Sequence, residues 1–297
     1  MLQLRFVRRS KTVKPAPFEY HAPSTVEEAV AVLAEVAPRG GRVLAGGQSL
    51  VPAMALRLAL PAHLVDINGV KSFERLAVDA GELSIGACVR HAAFHRPATQ
   101  GPLGTLLSQV VRHIAHHPIR TRGTFCGSLA NADPASEWCL VAATLDARMV
   151  ARSVRGTRRI APADYFQGAM TTALAADELL LEARVPVLAP DTCFGFSEFS
   201  RRAGDFAIAM ALATYRLRNR VMTEPRVGVG GVESAPRRIV EAEAALEGKR
   251  PGPDAFRDAA DAVARSIAPL DDIRCPAHYR RDVARAMTRR ALEGAAA

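Results

Sequence analysis

The sequence predicts an α+β fold of more than one unit, and three observations carry that reading. Residues 25–67 run helix, strand, glycine turn, helix, strand; residues 194–292 place three strand-like runs before three helical ones; and Pro186 and Pro190 break the pattern between them. Alternation of helices and strands signals α/β packing, whereas strands followed by helices signal helices laid on one sheet. At 297 residues the chain exceeds one average domain.

The first helix follows from Ser24-Thr25-Val26-Glu27, which has the pattern of a capping box, and from Val26, Ala29, Val30 and Leu33 at helical spacing. It is expected over 25–36, stopped by Pro38-Arg39-Gly40-Gly41. A strand at 42–45, the Gly46-Gly47 turn, a helix reaching 58 and a strand at 63–67 complete the unit. Asp79-Ala80-Gly81 between 75–78 and 82–88 predicts a hairpin. Helical patterns cover 89–94 and 103–116, the second with Leu103, Leu106, Leu107, Val110 and Ile114 on one face. Helix at 135–145 and strands at 148–152 and 179–187 follow. The last third reads as strands at 194–200, 206–218 and 226–233, turning at Gly204 and Asn219, then helices at 235–246, 253–268 and 277–292. Gly228-Val229-Gly230-Gly231 within the third strand predicts a bulge.

Apolar residues make up 49% and charged ones 23%, an ordinary globular balance with ample core. The net charge of +9 admits nucleic acid, a membrane surface or an acidic partner. Only 5% of residues are aromatic, which argues against base-stacking platforms, and the arginines are scattered apart from clusters at 155–159 and 280–290. Solvated or subunit-facing surfaces are the better reading, with no nucleic acid. No run approaches ~18 apolar residues, so no membrane span is expected. Cys88, Cys126, Cys139, Cys193 and Cys275 form no C-x-x-C pair, which argues against a disulfide framework or an iron–sulfur centre in this chain and fits a reducing, cytoplasmic setting. Residues 1–13 read as an N-terminal extension.

The stretch PIRTRGTFCGSLANADPASEW at 118–138 sets Gly123, Gly127 and small residues between two helical segments. Such a turn, with Gly127 free to take φ > 0 and a helix start near Pro134, makes an anion site; Gly46-Gly47 has the same character roughly eighty residues earlier. Two such turns suggest one long phosphorylated cofactor held from two sides. A dinucleotide G-x-G-x-x-G and a P-loop are both absent. His113, His116 and His117 near a helix end make a weak metal reading with no carboxylate to complete it. Asp133, Glu137, Asp164 and Asp205 are acids whose convergence the sequence leaves open, and no catalytic triad is apparent. Cys126 reads as a small apolar filler rather than a nucleophile. Where catalytic side chains are missing, a cofactor often carries the chemistry.

LAGGQSLVPAMALR at 44–57 and IRTRGTFCGSLANADPASEW at 119–138 resemble the paired FAD-binding signatures of one family, the flavoprotein medium subunits of molybdenum hydroxylases such as carbon monoxide and xanthine dehydrogenases. KPAPFEYHAPSTVEEAV at 14–30, ELLLEARVP at 178–186 and SRRAGDFA at 200–207 add to the likeness, which covers residues 14–292. The resemblance implies a p-cresol-methylhydroxylase-type FAD-binding domain of two α/β subdomains, 14–68 and 69–188, and a C-terminal α+β domain, 189–297, of a three-stranded sheet with helices. It implies that Ala45, Gly46, Gly47, Gln48, Ser49 and Leu50 hold the FAD pyrophosphate. Thr124, Cys126, Gly127 and Ser128 would hold the same cofactor from the second loop, with Asn131, Asp133 and Glu137 further along and Ile119 and Leu180 packing against it. Cys126 stands where many relatives have glycine, and Phe206 where some have tyrosine. The likeness further implies an electron-transferring oxidoreductase subunit without catalytic side chains of its own. A small subunit with two [2Fe–2S] clusters and a large molybdopterin subunit would be its partners, in a dimer of heterotrimers, with an external electron acceptor. A stand-alone FAD-dependent oxidoreductase of the same fold and a non-enzymatic nucleotide- or nucleic-acid-binding module stay open at this level, as do the substrate and the acceptor.

Overall fold

The computed structural model describes residues 14–273 and 275–296, so the expectation for residues 1–13 lies outside the described residues. The chain builds three main sheets in succession, and each is closed by helices from its own or the preceding segment.

The first is parallel, with order β1 (Glu19–His21), β3 (His63–Asp66), β2 (Gly41–Leu44). Helix α1 (Val26–Val36) packs Ala29, Val30, Leu33 and Val36 onto it. Its cap sits one residue later than the sequence pattern suggests. Thr25 Oγ1 accepts from the Glu28 N–H at 3.1 Å, and Glu28 accepts from the Ser24 N–H at 2.8 Å. Glu27 instead pairs with Arg152. Helix α2 (Leu50–Ala55) follows the Gly46-Gly47 turn.

The second sheet is antiparallel, with order β4 (Leu76–Asp79), β5 (Glu82–Gly86), β10 (Leu179–Pro186), β6 (Arg148–Ser153), β7 (Gly156–Ile160). The β4–β5 hairpin turns through Ala80 at φ 50° and Gly81 at φ 80°. Helices α3 (Gly101–Val110), α5 (Phe125–Asn131) and α6 (Glu137–Thr144) lie between this sheet and the next, and α4 (His117–Arg122) packs outside that core against residues 91–95. A short helix α7 (Pro162–Tyr165) and a two-stranded ribbon, β8 (Phe166–Gly168) and β9 (Thr171–Thr172), fill residues 162–172.

Helix α3 stops six residues short of its expected end. Val111–Ile114 tighten into turns, Ala115 sits at φ 42°, and the Arg120 guanidinium takes the Ile114 and Ala115 carbonyls, both at 2.8 Å. His113, His116 and His117 therefore share no helix face. The segment expected as helix at 89–94 is instead a 3₁₀ turn over His91–His95.

The third sheet joins β11 (Thr192–Phe199), β12 (Ala209–Arg218) and β13 (Val221–Gly230), with a two-residue β14 (Arg237–Arg238) at its edge. Helices α8 (Val240–Leu246), α9 (Pro253–Ser266) and α10 (Ala277–Ala296) follow. Both faces of this sheet are buried. Ala209, Ala211, Ala213 and Tyr215 point into the core built with α9 and α10, while Met210 and Leu212 point into the core shared with α3, α5 and α6. The alternation is the period-2 pattern of a strand covered on both sides.

The expected glycine bulge is absent. The β12–β13 register shifts between Thr214 and Arg216, where Glu224 takes φ 54°, and the glycines serve close packing instead. A Cβ on Gly228 would lie 1.9 Å from Thr144 Oγ1 of α6, and one on Gly195 would lie 1.9 Å from the Ala291 carbonyl of α10. The main chain of α10 sits directly on β11. Gly195→Ala forces the two apart, and overpacking of this kind costs about 1–3 kcal/mol. Urea unfolding is expected to show a lower midpoint for this variant with little change in slope.

Candidate functional site

The parallel ladder of β2 and β3 sends both strands out of the same end of the first sheet. At that end β2 runs into Ala45–Leu50, and β3 into Asp66 and Asn68. The first turn is built to be approached. Gly46 is buried, Gly47 takes φ 71°, and the Gln48 amide folds back onto the Gly46 carbonyl at 2.8 Å. Among the described residues, no protein acceptor takes the N–H groups of Gly47, Gln48, Ser49 or Leu50, which leaves a row of backbone donors suited to an anion.

The second turn lies against the first. A Cβ on Gly46 would stand 2.5 Å from the Arg122 carbonyl oxygen and 2.6 Å from Gly123 Cα. Gly123 in turn leaves no room for a Cβ, which would lie 2.5 Å from His91 Nε2. Two glycines thus let two loops distant in sequence meet backbone to backbone.

A polar clamp, invisible in the sequence, fixes that contact. The Asn68 side-chain amide donates to the Ala45 carbonyl at 2.9 Å, and the Arg90 guanidinium donates to Asn68 Oδ1 and to the Arg122 carbonyl, both at 2.6 Å. Asp66 holds Asn68 through its N–H at 2.9 Å and itself accepts from the Tyr20 hydroxyl. The clamp runs from the edge strand to the second loop. Its members are ordinary polar residues at spacings that match no motif, so only their convergence reveals them.

The second turn differs from its expected form. Gly127 is not a left-handed residue but the third residue of α5, whose cap is Thr124; Thr124 Oγ1 accepts from the Gly127 N–H at 3.0 Å. The helix start expected near Pro134 falls at Glu137. Most amides of this turn are already used. Gly123 donates to the Ile119 carbonyl, Phe125 to Val89 and Ser128 to Thr124. Among the described residues, the Thr124 and Cys126 N–H groups take no protein acceptor, and both residues are almost wholly buried.

The remaining expected residues fall in three places. Ser128 is half-buried on α5, Asn131 touches Met170 Sδ at 3.5 Å, and Ile119 is half-buried on α4. Asp133 caps the Ala135 N–H at 2.9 Å. Cys126 and Leu180 face the core; Cys126 Sγ donates to the Ile85 carbonyl at 3.3 Å, and burial pushes its thiol far up. The Cys126 side chain is therefore turned into the core, and only its N–H is left without a protein acceptor.

Beneath the turn lies an aromatic bed of Phe94, Phe125 and Trp138, with ring centres 4.8–5.6 Å apart. The Trp138 indole N–H donates to His91 Nδ1 at 3.0 Å, and the His91 N–H takes the Gly123 carbonyl. Burial, together with Arg120 and Arg90, lowers the His91 pKa to about 4, so its ring is neutral and Nδ1 accepts.

Glu137 enters from α6 and Glu198 from β11, at the seam with the C-terminal sheet. Burial raises both carboxyl groups, with Asp133 adding at Glu137 and Glu137 adding at Glu198. Glu198 Oε2 has no hydrogen-bond partner, and His113 Nδ1 stands 3.9 Å away, its own pKa lowered by burial.

A family model described as the FAD-binding domain in molybdopterin dehydrogenase matches residues 16–188, and one described as the CO dehydrogenase flavoprotein C-terminal domain matches 194–295. The chain belongs to the FAD-binding medium subunits of the molybdenum hydroxylases. It is 34% identical to the nicotine 6-hydroxylase medium subunit of Paenarthrobacter nicotinovorans, over 96% of this chain and 99% of that one. It is also 34% identical to the carbon monoxide dehydrogenase medium chain of Hydrogenophaga pseudoflava, over 95% and 98%. A solved carbon monoxide dehydrogenase from Hydrogenophaga pseudoflava superposes with a TM-score of 0.90, and quinoline 2-oxidoreductase from Pseudomonas putida 86 with 0.89, each at 34% identity over 95% of this chain and 98% of the other. Such a subunit is part of an oxidoreductase, and FAD is its cofactor. The donor set fits that cofactor: a bare-backbone approach and, among the described residues, unused amides for a diphosphate.

Two predictions follow from this geometry. Arg90→Met removes two charge-assisted hydrogen bonds from the clamp, each worth about 1.5–3 kcal/mol, and FAD affinity is expected to fall by about tenfold to a hundredfold. Fluorescence titration of the apo chain reads the change, while far-ultraviolet circular dichroism stays unchanged. The second concerns pH. The folded chain keeps protons on Glu137 and Glu198 that the unfolded chain has released, so stability falls as pH rises from about 4.5 towards about 8. His91 acts oppositely, its stability contribution being lost as pH falls from 6.5 to about 4. Glu198→Gln flattens the alkaline side alone, which urea unfolding at pH 5 and pH 8 checks.

Proposed function

We propose that this chain is the FAD-carrying electron relay of a three-subunit molybdenum hydroxylase. A large molybdopterin subunit oxidises the substrate, a small subunit with two [2Fe–2S] clusters conducts the electrons, and two such trimers pair. The observation that carries this reading is the contact of the two glycine turns, with one face lined by unused amides. FAD supplies the means to accept electrons and release them to an external acceptor. The amides of Gly47, Gln48, Ser49 and Leu50 hold its diphosphate, and Gly46 and Gly123 keep the turns close enough to share it. Thr124 contributes its hydroxyl and N–H, Cys126 its N–H alone. Ser128, Asn131, Asp133 and Glu137 line the path beyond, and Ile119 sets an apolar flank. No side chain transfers protons to a substrate, because the substrate is bound elsewhere.

The relatives support the partner assignment, since they are named as medium chains or subunits of larger enzymes. An apolar surface beside the first turn supports it too: Val51, Leu56, Leu58 and Leu60 are exposed, Leu58 to 80%. Exposed apolar groups gathered in one place mark a contact surface. We assign that face to the iron–sulfur subunit. Among the described residues, no helix is long and apolar enough to cross a membrane. The five cysteines are free, and four are buried, which supports a reducing cytoplasm.

Affinity purification of the tagged chain from its source cells tests the reading. The expected result is a yellow complex of three chains with FAD, iron and molybdenum, in which substrate bleaches the flavin only when the large subunit is present. A chain that elutes alone with FAD and is reduced by its own substrate would establish the stand-alone oxidoreductase instead. Leu58→Glu is expected to weaken assembly at least tenfold without loss of FAD.

A further inference from the structure

A second polar cluster lies at the opposite end of the first sheet, away from the turns. Glu19 and His21 are two residues apart on β1, so their side chains share a face. The parallel register sets Glu19 beside His63 of β3. His21 Nε2 lies 3.2 Å from His63 Nδ1, and Glu19 Oε2 lies 3.3 Å from that same nitrogen. All three ligand atoms fall within 4.8 Å of one another.

We propose that Glu19, His21 and His63 form a binding site for a divalent cation of the Zn²⁺ class, with a solvent molecule in the fourth position. The distances carry the proposal. Nitrogen and oxygen ligands about 2.0–2.1 Å from a tetrahedral Zn²⁺ stand about 3.3 Å from one another. The two measured edges match that separation. The donor set, two imidazoles and a carboxylate, is of the kind that suits Zn²⁺.

Hydrogen bonding alone serves this cluster poorly. His63 Nδ1 faces both an imidazole nitrogen and a carboxylate oxygen. If Nδ1 carries a proton, that one proton is divided between two acceptors. If it does not, the Glu19 oxygen confronts a lone pair. A cation satisfies all three atoms at once, with both imidazoles neutral and the carboxylate ionised.

The placement is also right for entry and for rigidity. His63 is buried at 5% exposure and fixed in the strand, while the Glu19 side chain is 72% exposed, so the open position faces water. β1 is three residues long and lies at the sheet edge. A cation here staples it to β3. None of its ligands belongs to either turn or is itself a member of the clamp, although Tyr20 between Glu19 and His21 reaches Asp66, so Zn²⁺ binding and FAD content are read separately.

The test uses the full-length FAD-loaded chain, first stripped of metal with a chelator. Competition with a chromophoric chelator is expected to show one tightly held Zn²⁺ per chain, and Zn²⁺ is expected to raise the thermal midpoint. Co²⁺ substitution is expected to give the visible absorption of a four-coordinate nitrogen–oxygen site. His21→Ala and Glu19→Gln, both at positions that the fold does not need buried, are expected to weaken Zn²⁺ binding at least tenfold and abolish the midpoint shift while FAD content stays at the wild-type level. His63→Ala adds a third case, with His21→Ala deciding should the buried variant fail to fold. No stoichiometric Zn²⁺ on the wild type overturns the proposal, as does unchanged binding in His21→Ala and Glu19→Gln, which would place the metal on another group such as Cys193.

Discussion

The backbone contact between Gly46 and Arg122–Gly123 is the constraint on which the cofactor cleft depends. Neither loop is rigid by its own hydrogen bonds. The first spends none of the N–H groups of Gly47 to Leu50 internally, and the second spends most of its own on α4, α5 and the strand-like segment before His91. What fixes their separation is the absence of two Cβ atoms, backed by Asn68 and Arg90. The arrangement divides labour. One loop is held open as a donor surface, and the other is held shut as a wall. Oriented amides of this kind carry partial positive charge suited to an anionic bridge.

The same device recurs away from the cleft. Gly195 under α10 and Gly228 under α6 are places where a helix rests on bare strand. Both faces of β12 are covered, one by the C-terminal helices and the other by helices that also carry the second turn. The C-terminal sheet is thus bonded to the cofactor-binding part through α6, and the Glu137–Glu198 pair sits in that seam. Two carboxyl groups raised by burial tolerate each other because at least one stays protonated, which keeps net charge low where the two parts meet.

Much of the architecture was legible because it rests on local chemistry. The capping residues before α1, the Ala80-Gly81 and Asn219 turns, and the long strands β10 to β12 all declare themselves within a dozen residues, whereas β13, expected over 226–233, runs Val221–Gly230, its first half hidden by Pro225. β7 did not, because Gly-Thr-Arg-Arg-Ile is exposed along four of its five positions and shows no apolar period. The end of α3 was hidden as well, since apolar spacing continues to Ile114, while the chain after Val110 turns instead and Arg120, ten residues beyond, takes the Ile114 and Ala115 carbonyls. At the site, the glycine turns could be read from residue type. Their contact could not, nor could the Asn68–Arg90 clamp or the Glu19–His21–His63 cluster, because each joins residues that only the fold brings together. Gly127 shows the reverse error: its residue type invited a left-handed turn, and the Thr124 cap made it helical instead.

The charge of the chain takes on a different meaning once these contacts are in place. A net charge of +9 invites a search for an acidic partner, yet several arginines are spent on the protein's own main chain. Arg90 takes the Arg122 carbonyl, Arg120 takes two carbonyls after α3, and Arg280, 4% exposed, takes the carbonyls of Leu270, Ile208 and Gly231 while pairing with Asp272. The 280–290 cluster therefore begins inside the C-terminal core rather than on a solvated face. A guanidinium presents five donors in a fixed fork, so it can end a helix, close a loop and tie two strands where an ammonium would satisfy fewer groups. In this chain arginine substitutes for regular secondary structure at the points where the ladders stop, and the formal charge is in part a by-product of that use.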